Sequence, residues 1–193
     1  MGLYEVGRII VRSFFSVFFK VEVIGVDRIP KKGGVILCCN HISNFDPPLL
    51  GAFVKRRIHY MAKQELFKIP LFNSLIKTLC AFPVRRGMSD KRALKTAMNL
   101  LKEGHIVGLF PEGTRSRNGV LKKGLAGAGF IALRTDATVI PCAIIGPYKP
   151  FQKVKIVYGE AINFSQLRNE KASAEEATAL IMEHIRKLIE THS

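Results

Sequence analysis

The sequence predicts an α/β fold: one domain with a mixed sheet of about seven mostly apolar strands flanked by helices, plus an amphipathic N-terminal helix. Three observations carry the prediction. Short apolar runs rich in β-branched residues recur along the chain with helical patterns between them. Several of those runs are apolar at nearly every position, as strands covered on both faces are. At 193 residues and 48% hydrophobic content, the chain can bury one core, and no Gly/Ser-rich or Pro-rich linker divides it.

Residues 3–20 come first. Glu5, Arg8, Arg12, Ser13, Ser16 and Lys20 fall within one arc of a helical wheel, leaving Leu3, Val6, Ile9, Ile10, Val11, Phe14, Phe15, Val17, Phe18 and Phe19 on a broad apolar face. Residues 1–20 therefore read as an interfacial helix that associates with a membrane, and residues 21–193 as the domain it precedes. A spanning helix would need ~20 mainly apolar residues and would not carry arginines mid-segment. The interspersed charges, with no small-residue cleavage site after them, also argue against a signal peptide. The alternative is a helix docked on the protein's own core.

Strands are expected at residues 21–26, 35–39, 58–62, 81–84, 106–110, 138–145 and 154–158, with helices at 46–54, 70–79, 89–102, 124–134 and 174–191. Asp46 before Pro47 has the form of an N-cap followed by proline in the first turn, and Ser89 and Gly104 bracket another helix. The polar stretch 165–176 reads as a surface connection into the last helix. Ligand sites on such sheets gather beyond the strand ends, where His41 and Glu112 fall.

The run Asn40-His41-Ile42-Ser43-Asn44-Phe45-Asp46 follows the apolar residues 35–39 and sets an imidazole five positions before a carboxylate. If the two face each other, the aspartate holds the Nδ1 proton and frees Nε2 to deprotonate a hydroxyl. Such a pair can equally be a structural hydrogen bond, and Asp46 can cap the helix amides as well as serve His41. A second cluster, Phe110-Pro111-Glu112-Gly113-Thr114-Arg115-Ser116-Arg117, again follows an apolar run. Guanidiniums, hydroxyls and a flexible glycine in one turn suit a phosphate, the alternative being arginines that simply face water.

In this order and spacing, these clusters resemble the glycerolipid acyltransferase family, and within it the bacterial 1-acyl-sn-glycerol-3-phosphate acyltransferases. Four blocks carry the resemblance: residues 40–46; Ala81-Phe82-Pro83-Val84-Arg85-Arg86-Gly87; residues 110–116; and Val139-Ile140-Pro141-Cys142-Ala143. The resemblance implies an acyltransferase that moves a fatty acyl group from an acyl thioester to the sn-2 hydroxyl of lysophosphatidic acid, making phosphatidic acid in phospholipid synthesis. It implies His41 as general base, Asp46 as its orienting partner, and Glu112, Gly113, Thr114 and Arg115 at the glycerol phosphate with Arg86. Arg85 stands beside Arg86 and can take its role. Asn40, Ser43 and Pro141 are supporting residues, the first two read as shaping the turn or strand end. The donor is acyl-CoA or acyl-acyl carrier protein, with no cofactor beyond it. Glycerol 3-phosphate or another lysophospholipid remains an alternative acceptor.

Thirty Lys and Arg against fifteen Asp and Glu give a net charge of +15, which favours a polyanionic partner. The basic residues show no zinc-ligand spacing, RNA-recognition aromatics or helix-turn-helix, so a nucleic-acid-binding module ranks below an anionic membrane, and no nucleic acid is expected. Each surface cation near anionic headgroups contributes ~1 kcal/mol of attraction, which places the protein peripherally or monotopically on the cytoplasmic face of the cell membrane. An acidic acyl carrier protein would be drawn to the same charge. Cys38, Cys39, Cys80 and Cys142 lie in or beside apolar runs without paired spacing and read as buried free thiols. Cys39 near His41 invites an acyl-cysteine alternative, against which strand alternation and direct attack are preferred. No metal site is expected.

Overall fold

The computed structural model describes residues 2–69, 73, 76, 79–85, 90–116 and 119–193. After helix α1 (Leu3–Phe18) come β1 (Lys20–Ile24), β2 (Val35–Cys39), α2 (Asp46–Ala52), β3 (Ile58–Lys63) and β4 (Ala81–Val84). There follow α3 (Lys91–Lys102), β5 (Ile106–Leu109), α4 (Gly127–Leu133), β6 (Thr138–Ile145), β7 (Lys153–Tyr158), α5 (Ser165–Asn169) and α6 (Ala174–His192). The seven strands form one sheet in the order β1-β7-β6-β2-β5-β3-β4. Neighbours run parallel except β6 and β7, so the sheet is mixed, as the sequence predicts.

The composition of β2, Val-Ile-Leu-Cys-Cys, places it at the centre, because a strand with no polar face must be covered twice. Leu37 and Cys39 point into the layer closed by α1 and α2, whereas Ile36 and Cys38 point into the layer closed by α3, α4 and α6. Ordinary strand alternation thus sends the adjacent cysteines to opposite cores. Side chains of this kind, fully withdrawn from water, contribute about 1.5–3 kcal/mol each. Pro141 sits within β6, where a missing N–H would normally break a ladder. Its carbonyl accepts the Gly159 N–H (2.8 Å), and pairing with β7 begins only at Cys142, so the absent donor faces the end of that ladder.

Two local expectations change. The cap of α3 is Asp90, whose carboxylate accepts the Arg92 and Ala93 N–H groups; Ser89 lies outside the described residues. The stretch 165–176 contains the short helix α5 and then a capping box, Ser173 with Glu176, that starts α6. The helix expected at residues 70–79 falls mostly outside the described residues.

Helix α1 packs on α2 through Val11, Phe15 and Phe19, with Phe15 only 1% exposed. Arg8, in the polar arc, donates to the Val54 carbonyl (2.7 Å), and the Tyr4 hydroxyl accepts the Ile58 N–H (3.1 Å). The broad apolar face is therefore divided. One edge is docked on the protein, while Leu3, Ile10 and Val17 are 70%, 63% and 65% exposed. Among the described residues, no helix is long and apolar enough to cross a membrane.

Candidate active site

The site begins where β2 ends at the middle of the sheet. Asn40 continues the strand with its side chain: Nδ2 donates to the Ile144 carbonyl (2.9 Å) and Oδ1 accepts the Ile144 N–H (2.7 Å), as a paired backbone would. That clamp on β6 fixes the point at which the chain turns away, and His41 is the next residue. Its ring stacks on Phe110 (4.3 Å between centroids), which follows the neighbouring parallel strand β5.

Asp46 is fully buried, and its carboxylate is fully engaged. Oδ2 accepts from His41 Nδ1 (2.7 Å), Ile42 N–H (2.6 Å) and Ser43 N–H (2.7 Å), while Oδ1 accepts from the Tyr148 hydroxyl (2.8 Å). Four donors compensate a negative charge that would otherwise be costly to withdraw from water. A carboxylate can only accept, so the Nδ1 proton belongs to His41 and Nε2 is the available base. Nε2 has no hydrogen-bond partner among the described residues. Asp46 does not cap α2 as an N-cap would: it is the first helical residue, ahead of Pro47 and Pro48, and its side chain turns back to close the loop carrying His41. Ser43 tightens that loop further, its hydroxyl accepting the Phe45 N–H (3.2 Å).

The second cluster is joined to the first through the backbone. Glu112, 4% exposed, accepts the His41 N–H on Oε1 (2.8 Å) and the Lys122 N–H on Oε2 (3.0 Å), while the Ser116 N–H donates to the His41 carbonyl (2.7 Å). Both carboxylate oxygens are thus used to hold the loops together, a task the sequence assignment to the glycerol phosphate did not include. Gly113 has φ +68°, a left-handed conformation that favours glycine whatever the space around it. Lys122 Nζ donates to the Arg115 carbonyl (2.7 Å) and approaches Thr114 Oγ1 (3.5 Å), pinning the far side of the turn.

His41, Glu112, Gly113 and Thr114 line one cleft of about 1910 Å³, well above the size of an ordinary small-molecule site. Its walls are mainly apolar, with Val11, Pro47, Tyr60, Leu94 and Met98 among the lining residues. Gly108 on β5 stands opposite Tyr60 on β3, and a Cβ at Gly108 would meet that ring at 2.5 Å, so the missing side chain makes room for the wall. Arg85 also lines the cleft, with Nε donating to Gln64 Oε1 (2.9 Å); so does Lys63, a cation the sequence reading passed over.

The other expected residues are placed differently. Arg115 is exposed just beyond the lining, and among the described residues its guanidinium makes no hydrogen bond or ion pair. Arg86 lies outside the described residues, as does Arg117. Pro141 turns its ring toward Gly159, away from the cleft, and Asn40 is committed to Ile144. Burial pushes the Cys39 thiol well above its ordinary pKa and Cys38 up to about 12, which disfavours the thiolate an acyl-cysteine would require. Tyr148 and Lys122 carried no sequence signal, since neither lies in a motif and Tyr148 is 102 residues from its partner.

Comparison with known proteins identifies the family. Residues 20–145 match the Acyltransferase family model. The chain is 36% identical over 169 residues to a 1-acyl-sn-glycerol-3-phosphate acyltransferase of Bacillus subtilis (strain 168), covering 83% of this chain and 84% of that protein. A protein of the same name from Borreliella burgdorferi is 29% identical over 189 residues, covering 93% of this chain and 75% of that one. Among solved structures, the 1-acyl-sn-glycerophosphate (LPA) acyltransferase PlsC from Thermotoga maritima matches with a TM-score of 0.77 at 29% identity, over 98% of this chain and 79% of its own.

Proposed function

The chain belongs to the acyltransferase family, and we propose that it transfers a fatty acyl group from an acyl thioester to the sn-2 hydroxyl of a 1-acyl-glycerol 3-phosphate. The supporting observation is the 2.7 Å contact between His41 Nδ1 and Asp46, set beside the Glu112 to Thr114 turn in one large apolar cleft. The hydroxyl proton passes to His41 Nε2 as the oxygen attacks the thioester carbonyl carbon. The tetrahedral oxyanion then collapses, the C–S bond breaks, and the imidazolium returns the proton to the departing thiolate. The products are an ester, phosphatidic acid, and a free thiol. Asp46 stabilises the imidazolium between the two transfers. The apolar walls accept acyl chains, and the exposed Arg115 guanidinium on the rim, with Arg86 next to Arg85, supplies the cations for the phosphate.

The test is an assay of the purified enzyme with acyl-CoA and acyl-acyl carrier protein as donors, and lysophosphatidic acid, glycerol 3-phosphate and other lysophospholipids as acceptors. Lysophosphatidic acid is expected to give the highest kcat/KM; a clear preference for another acceptor would reassign the substrate. In the same assay Arg115→Ala is expected to raise the acceptor KM about tenfold or more with little change in kcat, the signature of lost uniform binding. An unaltered KM would remove Arg115 from the phosphate site.

The outward strip of α1 supports a second part of the proposal, that this reaction runs at a lipid surface on the cytoplasmic face of the cell membrane. Leu3, Ile10 and Val17 point away from the body, with half-exposed Phe18 and Phe45 beside them, and Phe45 is next in sequence to Asp46. Because the inner edge of α1 is docked, the test substitutes the outer face alone. Ile10→Asp with Val17→Asp is expected to reduce co-sedimentation with anionic phospholipid vesicles at least about tenfold, since each aliphatic insertion is worth about 1.5–3 kcal/mol. Equal partitioning at an unchanged melting temperature would assign the helix to the fold only.

A further inference from the structure

We propose that Tyr148 is a positioning residue for the His41–Asp46 pair, its phenol hydroxyl fixing Asp46 Oδ1 so that Oδ2 stays on His41 Nδ1. This rests on the reading of His41 as the base in acyl transfer.

The distribution of bonds on Asp46 is unequal. Three donors converge on Oδ2, from His41, Ile42 and Ser43, whereas Oδ1 receives one donor among the described residues, the Tyr148 hydroxyl at 2.8 Å. A carboxylate pulled on one oxygen only can rotate about its last torsion and exchange oxygens, and each rotation breaks the bond that defines the imidazole tautomer. The fourth donor removes that freedom. It also satisfies an oxygen that would otherwise be buried and unpaired.

Tyr148 reaches Asp46 from the loop between β6 and β7, so it is itself in need of support. Three aromatic rings supply it: Phe19 edge-on at 5.8 Å and 89°, Phe45 at 5.5 Å and Phe15 at 6.5 Å between centroids. Two of these belong to the docked edge of the N-terminal helix and its C-cap, so the phenol is braced by a different part of the chain from the one it serves. Burial, and then the Asp46 charge, raise the pKa of this phenol well above its ordinary value, so it remains a hydroxyl donor throughout the working range. Tyr148 is absent from the lining of the large cleft and faces a smaller cavity behind residues 40–43. Its hydroxyl is given to Asp46, the carboxylate through which the proposed role is exerted.

Tyr148→Phe removes the hydroxyl and keeps the ring. We expect kcat to fall about tenfold with the KM values for donor and acceptor unchanged, and the melting temperature to fall by a few degrees as the buried Oδ1 loses its donor. In an Asp46→Asn background the same substitution should have little further effect, because both changes act through one carboxylate. A kcat within about twofold of the wild type, a loss expressed in KM, or an undiminished loss in the Asp46→Asn background would each overturn the assignment. Asp46→Asn alone separates the two levels of inference. If that variant is fully active, the reading of the pair as catalytic fails; if it is impaired while Tyr148→Phe is normal, only the positioning role fails.

Discussion

Replacing His41 by alanine is expected to lower kcat by about 10²–10⁴-fold while leaving the KM for both substrates nearly unchanged. An alcohol attacks a thioester slowly until its proton is removed in the transition state, and we propose as the group that removes it the imidazole whose Nδ1 is held at 2.7 Å by Asp46 in this cleft. Asp46→Asn should be comparable, up to about 10⁴-fold in turnover, because an amide can donate to Nδ1 and stabilise the wrong tautomer. Steady-state kinetics with the preferred acceptor check both variants, and circular dichroism checks that they fold. Retention of more than a tenth of wild-type kcat by His41→Ala would show that another group takes the proton.

Glu112→Ala is expected to destabilise the protein by about 1–3 kcal/mol, since it leaves the buried His41 N–H without its acceptor, whereas the N–H of exposed Lys122 can turn to water. Against a typical total of about 5–15 kcal/mol this is a large fraction, to be read as a shift of the urea midpoint at constant slope. The same change should reduce kcat, because the N–H of His41 loses the bond that sets its position. The alternative role, contact with the glycerol phosphate alone, makes the opposite forecast: normal stability with a raised acceptor KM. Glu112→Gln, which can still accept one of the two bonds, should fall between alanine and wild type in stability.

The sheet was legible because several of its strands are written as nearly uninterrupted apolar runs. Val35–Cys39, Ala81–Val84 and Thr138–Ile145 begin and end where the sequence places them. Boundaries were less so at helix starts, where Ser89 and Asp90 are both good caps in adjacent positions and only backbone geometry decides. The His41 and Asp46 contact was legible as a spacing, five residues across one turn. What holds that contact was not. Glu112 meets His41 across 71 residues and Tyr148 meets Asp46 across 102, and neither bond leaves a local pattern. Helix α1 shows the same limit from another side. Its periodicity identifies an apolar face, but which part of that face is already covered depends on where α2 lies, and a wheel contains no neighbour.

The motif loops leave the carboxyl ends of β2 and β5, which are direct ladder partners, so neither can shift against the other without shearing the centre of the sheet. Much of the cleft wall comes from elsewhere, from β3, β4 and α3 toward one edge. In the proposed reaction, the reacting groups and the surroundings that would choose among substrates are therefore separable parts of the architecture. Descendants of this chain can alter what they admit by remodelling the periphery while inheriting the chemistry intact.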